Sequence, residues 1–110
     1  MATVARNLAN GQLPAAAAVL YTASTARVTI TAFLLHNASA ADRTWGLWRV
    51  PSGASATDAN EVYANQPILI DKTEGADYLL GQTLEVGDAI HGVASAASSV
   101  TYSISGLVHS

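Results

Sequence analysis

The sequence predicts an all-β protein, an antiparallel β-sandwich of jelly-roll-like architecture with seven to nine strands. Two long segments alternate apolar and polar side chains at period two, and Gly, Pro, Asn, Asp and Ser interrupt the chain at short intervals between such segments. Val, Ile, Thr and Tyr at period two outweigh the helix propensity of the many alanines, so little helix is expected.

Residues 1–16 contain Asn7, Asn10, Gly11 and Pro14 and are expected to form an N-terminal arm or irregular lead-in, of the kind that reaches over a neighbour or simply frays. Residues 17–110 are the single sandwich domain. Ala17–Thr22 supplies a first strand and Ala23–Ala26 a turn. The strongest strand follows, RVTITAFLLHN at Arg27–Asn37, with Val28, Ile30, Ala32 and Leu34 on one face and Thr29 and Thr31 on the other. Phe33 and Leu35 make the far end of that second face apolar too, which implies cover on both sides. A neighbouring protomer is the expected cover, so Phe33 and Leu35 are candidate interface residues.

Asn37–Asp42 has the composition of a loop. RTWGLWRVPSG is the next strand, stopped by Pro51 and Gly53, with Gly46 marking a bulge or a close approach. Ser52–Asn60 is a long Ser, Ala, Thr, Asp and Gly loop. Glu61–Ala64 and Ile68–Lys72 are short strands, Glu74–Gly75 is a turn, and Asp77–Leu80 and Gln82–Val86 continue toward Gly87 and Asp88. That pair is the candidate structural turn, where glycine permits positive φ. From Val100 onward, Val100, Tyr102, Ile104, Gly106 and Val108 share a buried face, while Thr101, Ser103, Ser105 and Leu107 share a largely wet one.

At 110 residues the chain is one domain, large enough for a single core. Hydrophobic residues make up 50% of it, but alanine inflates that figure and aromatics are only 6%, so apolar volume per residue is low. Charged residues are 12%, about half the usual share for a soluble domain, which under-equips the chain to stay apart from its own copies. Self-association is expected. A net charge of −3 with five scattered Lys and Arg gives no basic stripe, so nucleic acid is not expected as a partner. Zero cysteines removes disulfides, thiolate nucleophiles and Cys-ligated zinc. Arg6 followed by Ala15–Tyr21 is the nearest thing to a signal peptide, but Asn7, Asn10, Gln12 and Pro14 interrupt it and the apolar run is too short to span a bilayer. No membrane association is expected, and the chain is read as made in the cytoplasm and left intact.

His36, His91 and His109 lack metal-ligand spacing and have no local Cys or Glu companions, so they read as structural or surface histidines. No G-x-S-x-G occurs, and no nucleophile, base and orienting acid stand out. Asp58, Glu61, Asp71, Glu74, Asp77, Glu85 and Asp88 lack calcium-loop spacing and read as solvated loop acids. A small jelly-roll enzyme of cupin type would need clustered His and carboxylate ligands, which the sequence does not provide. No catalytic residue, metal or cofactor is assigned. Trp45 and Trp48 have odd spacing and lie on opposite strand faces; one is assigned to the core and one to an interface, with Trp48 the candidate.

The succession PAAAAVLYTAS, RVTITAFLLHNASAADRTWGLWRVPSG, LGQTLEVGDAIHGVAS and VTYSISGL resembles a group of small virion proteins of tailed bacteriophages. Their pattern is a tyrosine-bearing first strand, an apolar strand ending in an Asn-Ser loop, a strand ending in Pro-Ser-Gly, and a late L-x-x-G-D hairpin entry. The resemblance runs from about Pro14 over nearly the whole chain. It implies a β-sandwich or jelly-roll module that attaches to the capsid as a decoration protein or builds tail and baseplate parts, and it transfers no catalytic residues. The function expected is therefore a non-enzymatic virion component, synthesised in the host cytoplasm, forming a homo-oligomer, expected as a trimer, and binding other virion proteins of capsid or tail. The alternative is a carbohydrate- or host-receptor-binding module that uses Trp48 or Tyr63 as a stacking platform.

Overall fold

Strands that alternate in polarity hide their apolar faces only against a second layer, and here they do so in two stacked antiparallel sheets. The computed structural model describes residues 3–109. In chain order the strands are β1 (Thr3–Gln12), β2 (Ala18–Thr22), β3 (Arg27–Asn37), β4 (Arg43–Val50), β5 (Glu61–Ile68), β6 (Thr73–Gly75), β7 (Thr83–Leu84), β8 (Ala89–Ala94) and β9 (Val100–His109). Two single 3-10 turns lie at Asp58–Asn60 and Asp77–Leu79.

One sheet runs β1-β9-β3-β6, with β7 also paired to β3, and the other runs β2-β8-β4-β5. The pairings nest. Strand β1 meets β9, β2 meets β8, β3 meets β6 and β7, and β4 meets β5. This is one long antiparallel hairpin with its tip between β4 and β5, rolled so that β9 also pairs with β3 and β8 with β4. A hairpin rolled in this way into two sheets is a jelly roll. Strands β6 and β7 occupy one position along β3, separated by the Asp77–Leu79 turn.

The core lies between the sheets. Val28, Ile30, Phe33, Leu35, Val100 and Ile104 from one sheet face Trp45, Leu47, Ile90 and Ala94 from the other, each at most 3% exposed. Fully burying a Leu, Ile, Val or Phe side chain contributes roughly 1.5–3 kcal/mol, so this interlayer contact is the main stabilising term.

The register between β3 and β9 shifts between Ile30 and Ala32, leaving Thr31 as an extra residue. An extra residue reverses side-chain parity beyond it. Val28 and Ile30 point inward before the bulge, and Phe33, Leu35 and Asn37 point inward after it. The sequence pattern places Ala32 and Leu34 with Val28 and Ile30, and the bulge replaces them with Phe33 and Leu35. Those two candidate interface residues are therefore core, 1% and 0% exposed, covered by the second sheet of their own chain and not by a neighbour. Leu34 points outward instead, at 51% exposure.

Other segments also differ from the sequence prediction. Residues 3–12, expected as an arm or irregular lead-in, form β1 and pair with β9 along its length. A register shift between Asn7 and Ala9 masks their period-two pattern, and it lets both Leu8 and Ala9 pack against the core. Ile68 ends β5 where a strand was expected to run to Lys72. Leu69 and Ile70 are exposed in a turn closed by the Lys72 N–H donating to Leu69 O at 3.1 Å, with Asp71 at φ 60°. Pairing resumes at Thr73–Gly75, where a turn was expected, because Gly75, Glu74 and Thr73 meet Leu34, Leu35 and His36. Asp77–Leu79 is a 3-10 turn and not a strand, since it tucks Ala76 and Leu79 under the sheet edge at 0% exposure.

Gly87 stands at φ 96° in the turn before β8, and its N–H donates to Ala23 O at 2.7 Å. A Cβ there would meet Ser52 Oγ as well as a backbone conformation that branched residues resist. Gly87→Val is expected to lower stability by about 1–3 kcal/mol, measured as a drop in the urea or thermal midpoint. An unchanged midpoint would show that neither the turn nor Ser52 constrains this position.

Candidate functional site

Buried polar groups in this chain serve the loops. Asn37, 0% exposed at the end of β3, uses its whole amide: Nδ2 donates to Ala41 O at 2.8 Å and to Ile68 O at 2.9 Å, while Oδ1 accepts from Ser39 N–H at 2.9 Å and Ser39 Oγ at 2.8 Å. It ties the β3–β4 loop to the end of β5. The signal for it was an Asn at a strand end with Ser two residues on, the composition of an Asx-turn. At the opposite loop cluster Asp88, 8% exposed, accepts from Ser52 N–H at Oδ1 and Glu85 N–H at Oδ2, both at 3.0 Å. Arg49 Nη2 donates to Thr83 O at 2.6 Å and lies 3.5 Å from Asp88 Oδ2. Arg49 thus reaches from the four-stranded sheet to β7 of the other sheet, and Gly87 and Asp88 sit in the turn that this contact supports.

Chemistry-bearing side chains are dispersed. His36 Nδ1 is hydrogen-bonded to Thr73 Oγ1 at 2.9 Å and His109 Nε2 to Thr29 Oγ1 at 2.8 Å, both on the outer face of the five-stranded sheet, while His91 lies on the outer face of the other sheet beside Trp48. Among the described residues no group of three or more His, Cys, Asp or Glu side chains is placed to hold a metal ion. No helix among them is long and apolar enough to cross a membrane. Burial pushes the phenols of Tyr21 and Tyr102 above the ordinary tyrosine value, so both stay neutral at neutral pH.

The aromatic residues separate into two places. Trp45 is core, 3% exposed, with the Tyr63 ring centroid 4.8 Å away and Tyr78 5.9 Å beyond that; Tyr63 Oη accepts from the Tyr78 N–H at 2.9 Å. Trp48 is half-buried on the outer face of the four-stranded sheet, in a cross-strand row with Val19, His91 and Glu61. Gly46 marks a close approach of backbones, since a Cβ at that position would lie 3.0 Å from Tyr63 O of β5. Of the two residues nominated as alternative stacking platforms, Trp48 lies on this outer face, while Tyr63 packs against the core beside Trp45.

The outer face of the five-stranded sheet is poor in charge, as is that of the four-stranded sheet, whose outward strand positions carry Glu61. The outward strand positions of the five-stranded sheet are Thr, Ser, Asn, Gln, Ala, Leu and His, with Arg27 as the one formally charged residue on them. Leu34 rises from its middle, between Ser103 of β9 and Gly75 of β6. Leu34 forms one wall of an open depression of about 200 Å³, lined also by Leu35, His36, Thr73, Thr101, Tyr102 and Ser103. Sequence reasoning missed this face because the parity of Leu34 depends on the bulge at Thr31.

No protein-family model matches the chain, and no curated protein matches it. A solved structure does. A chain in the structure of infectious bursal disease virus, Gx strain, superposes with a TM-score of 0.52 at 15% sequence identity, over 98% of this chain and 33% of that one. This chain therefore spans about a third of the viral chain's length, and at that identity the likeness establishes the fold, a two-sheet sandwich.

The Asn37 cluster yields a test with a pH signature. In Asn37→Asp a carboxyl would face the carbonyl oxygens of Ala41 and Ile68 in place of two N–H donors. Burial and those oxygens would raise its pKa above the ordinary value of about 3.9, so the variant's stability should be greatest below that value and fall as pH rises through the folded-state pKa. The expected loss is about 2–4 kcal/mol at pH 7, with part recovered near pH 4, read by urea denaturation beside the wild type. An equal loss at both pH values would mean that the amide donors do not hold the loop.

Proposed function

We propose that this chain is a non-enzymatic structural component of a virion, made in the host cytoplasm and built into the particle, and that the particle is a tailed bacteriophage. The observation that carries the reading is the rolled two-sheet fold, shared over 98% of the chain with a chain of a virus structure. The polar clusters support it from the other side, since Asn37, Asp88 and Arg49 are spent on holding loops and form no solvent-facing constellation. The finer assignment to a tailed phage, as a capsid decoration or tail protein, is supported by the resemblance of residues 14–24, 27–53, 80–95 and 100–107 to small virion proteins of such phages. Its partners are then copies of itself and neighbouring virion proteins, with neither nucleic acid nor membrane among them. A share of 12% charged residues suits close, repeated packing.

In lysates of the producing host the chain is expected to co-sediment with intact particles through a density gradient, in many copies per particle by quantitative mass spectrometry. A chain found in the soluble fraction alone would sink the proposal.

A further inference from the structure

We infer that the outer face of the five-stranded sheet is a contact between two copies of this chain, related by a two-fold axis close to Leu34. The inference rests on the self-association in the proposed function and assigns it a surface, which the burial of Phe33 and Leu35 leaves unassigned.

Size is the first ground. Strands β1, β9 and β3 have ten, ten and eleven residues and lie side by side, with β6 and β7 along the border. At about 4.8 Å between strands and 3.3 Å per residue they present roughly 500–600 Å² of flat area, and side-chain relief brings this toward the roughly 800 Å² per partner of a stable interface.

Charge is the second. A partner recognised through ion pairs would find only Arg27 on the outward strand positions. At the β6 border the Asp77 carboxylate comes over Gly75. A face so poor in charge is matched by another poor in charge, which a second copy brings; the outer face of the four-stranded sheet, with Glu61 on it, is equally poor, so it is shape that selects between the two. Small Ser and Thr side chains also let two sheets approach closely.

Shape commits the contact to a two-fold. An isologous interface needs a protrusion and a recess on the same patch. Leu34, 51% exposed and flanked by Gly75 and Ser103, is the protrusion. The open depression of about 200 Å³ that Leu34 itself walls on one side, with His36, Thr73, Thr101 and Ser103 around the rest, is the recess, several times the roughly 30 Å³ share of one water molecule and so roomy enough for an aliphatic side chain. Each copy's Leu34 then fills the other's recess. The unit is a dimer, where the sequence led to the expectation of a trimer.

Sedimentation velocity and light scattering on the full chain at micromolar concentration test this. The wild type is expected at twice the 11.3 kDa chain mass. Leu34→Asp should raise the dissociation constant about 30-fold or more, the size of a hot-spot loss, and leave a monomer with an unchanged far-ultraviolet spectrum. Thr73→Arg, which fills the recess from an exposed position, should do the same. Val19→Asp, at an equally exposed strand position (54%) on the outer face of the other sheet, is the matched control and should remain dimeric. A dimer that survives both Leu34→Asp and Thr73→Arg overturns this contact and leaves the virion reading standing. A wild-type trimer overturns the two-fold and keeps self-association. A wild-type monomer overturns the contact and self-association together, and co-sedimentation with particles then decides the virion reading separately.

Discussion

Strand β9 is paired on both sides, with β1 and with β3, so the chain's two ends and its most apolar strand are fixed against one another in a single ladder. The register of that ladder decides which side chains are inside. Because the count slips by one residue at Thr31, Val28 and Ile30 share the interior with Phe33 and Leu35, and four large side chains from one strand meet Trp45, Leu47 and Ile90 across the sandwich. Without the slip, Ala32 and Leu34 would occupy those places, with less volume, and Phe33 and Leu35 would face water. The bulge thus determines the core and the outer face together. It hides two large apolar residues and leaves Leu34 on a surface made mostly of small and polar side chains, with Leu107, two histidines and Arg27 among them.

Much of this was legible in the sequence. The sheet-forming runs at Arg27–Asn37 and Val100–His109, the rolled two-layer class, the split of Trp45 and Trp48 between faces, and the turn at Gly87 all follow from period two and from turn chemistry, which are local signals. What was not legible depends on partners distant in sequence. Parity after Thr31 is set by β9, more than 70 residues away in register terms (Ile30 opposite Gly106), and no local composition marks the extra residue. The N-terminal segment looked irregular because its own bulge at Leu8 breaks alternation, although pairing to β9 makes it a strand. The interface residues nominated from an apolar second face were a consequence of the same missed slip.

Polar side chains are few here, and the buried ones are placed at strand ends, where backbone groups would otherwise go without partners. Asn37 satisfies one carbonyl and one N–H of the loop that returns β3 into β4 and the carbonyl of Ile68 at the end of β5, and Asp88 satisfies the N–H groups of Glu85 before β8 and of Ser52 after β4. Hydrogen bonds of this kind contribute modestly when made, yet an unpaired buried partner costs about 1–3 kcal/mol, so their main effect is to exclude other loop conformations. Arg49 adds a cross-sheet polar contact at that end, with its Nε buried and unpartnered among the described residues. The loops so fixed keep the two sheets in the stacking that the core requires.

A rolled hairpin leaves sheet edges, and the chain treats its edges unequally. Strand β5 carries Glu61 and Pro67 and turns through Asn65 at φ 49°, β6 has three residues, and β2 has five with a register shift, so each makes a poor template for another strand. Strand β1 has ten residues, one charge at Arg6 and a single bulge, which leaves a longer row of backbone groups open beside the charge-poor face. The unprotected edge and the uncharged face belong to the same sheet. On the four-stranded sheet the outer face instead carries Glu61, His91 and the half-buried Trp48 in one row. The molecule is therefore two-sided in its edges: one sheet is flanked by blunted edges and the other is bordered by an open one, and contact between copies through the second would cover a charge-poor face beside the row of backbone groups that β1 leaves open.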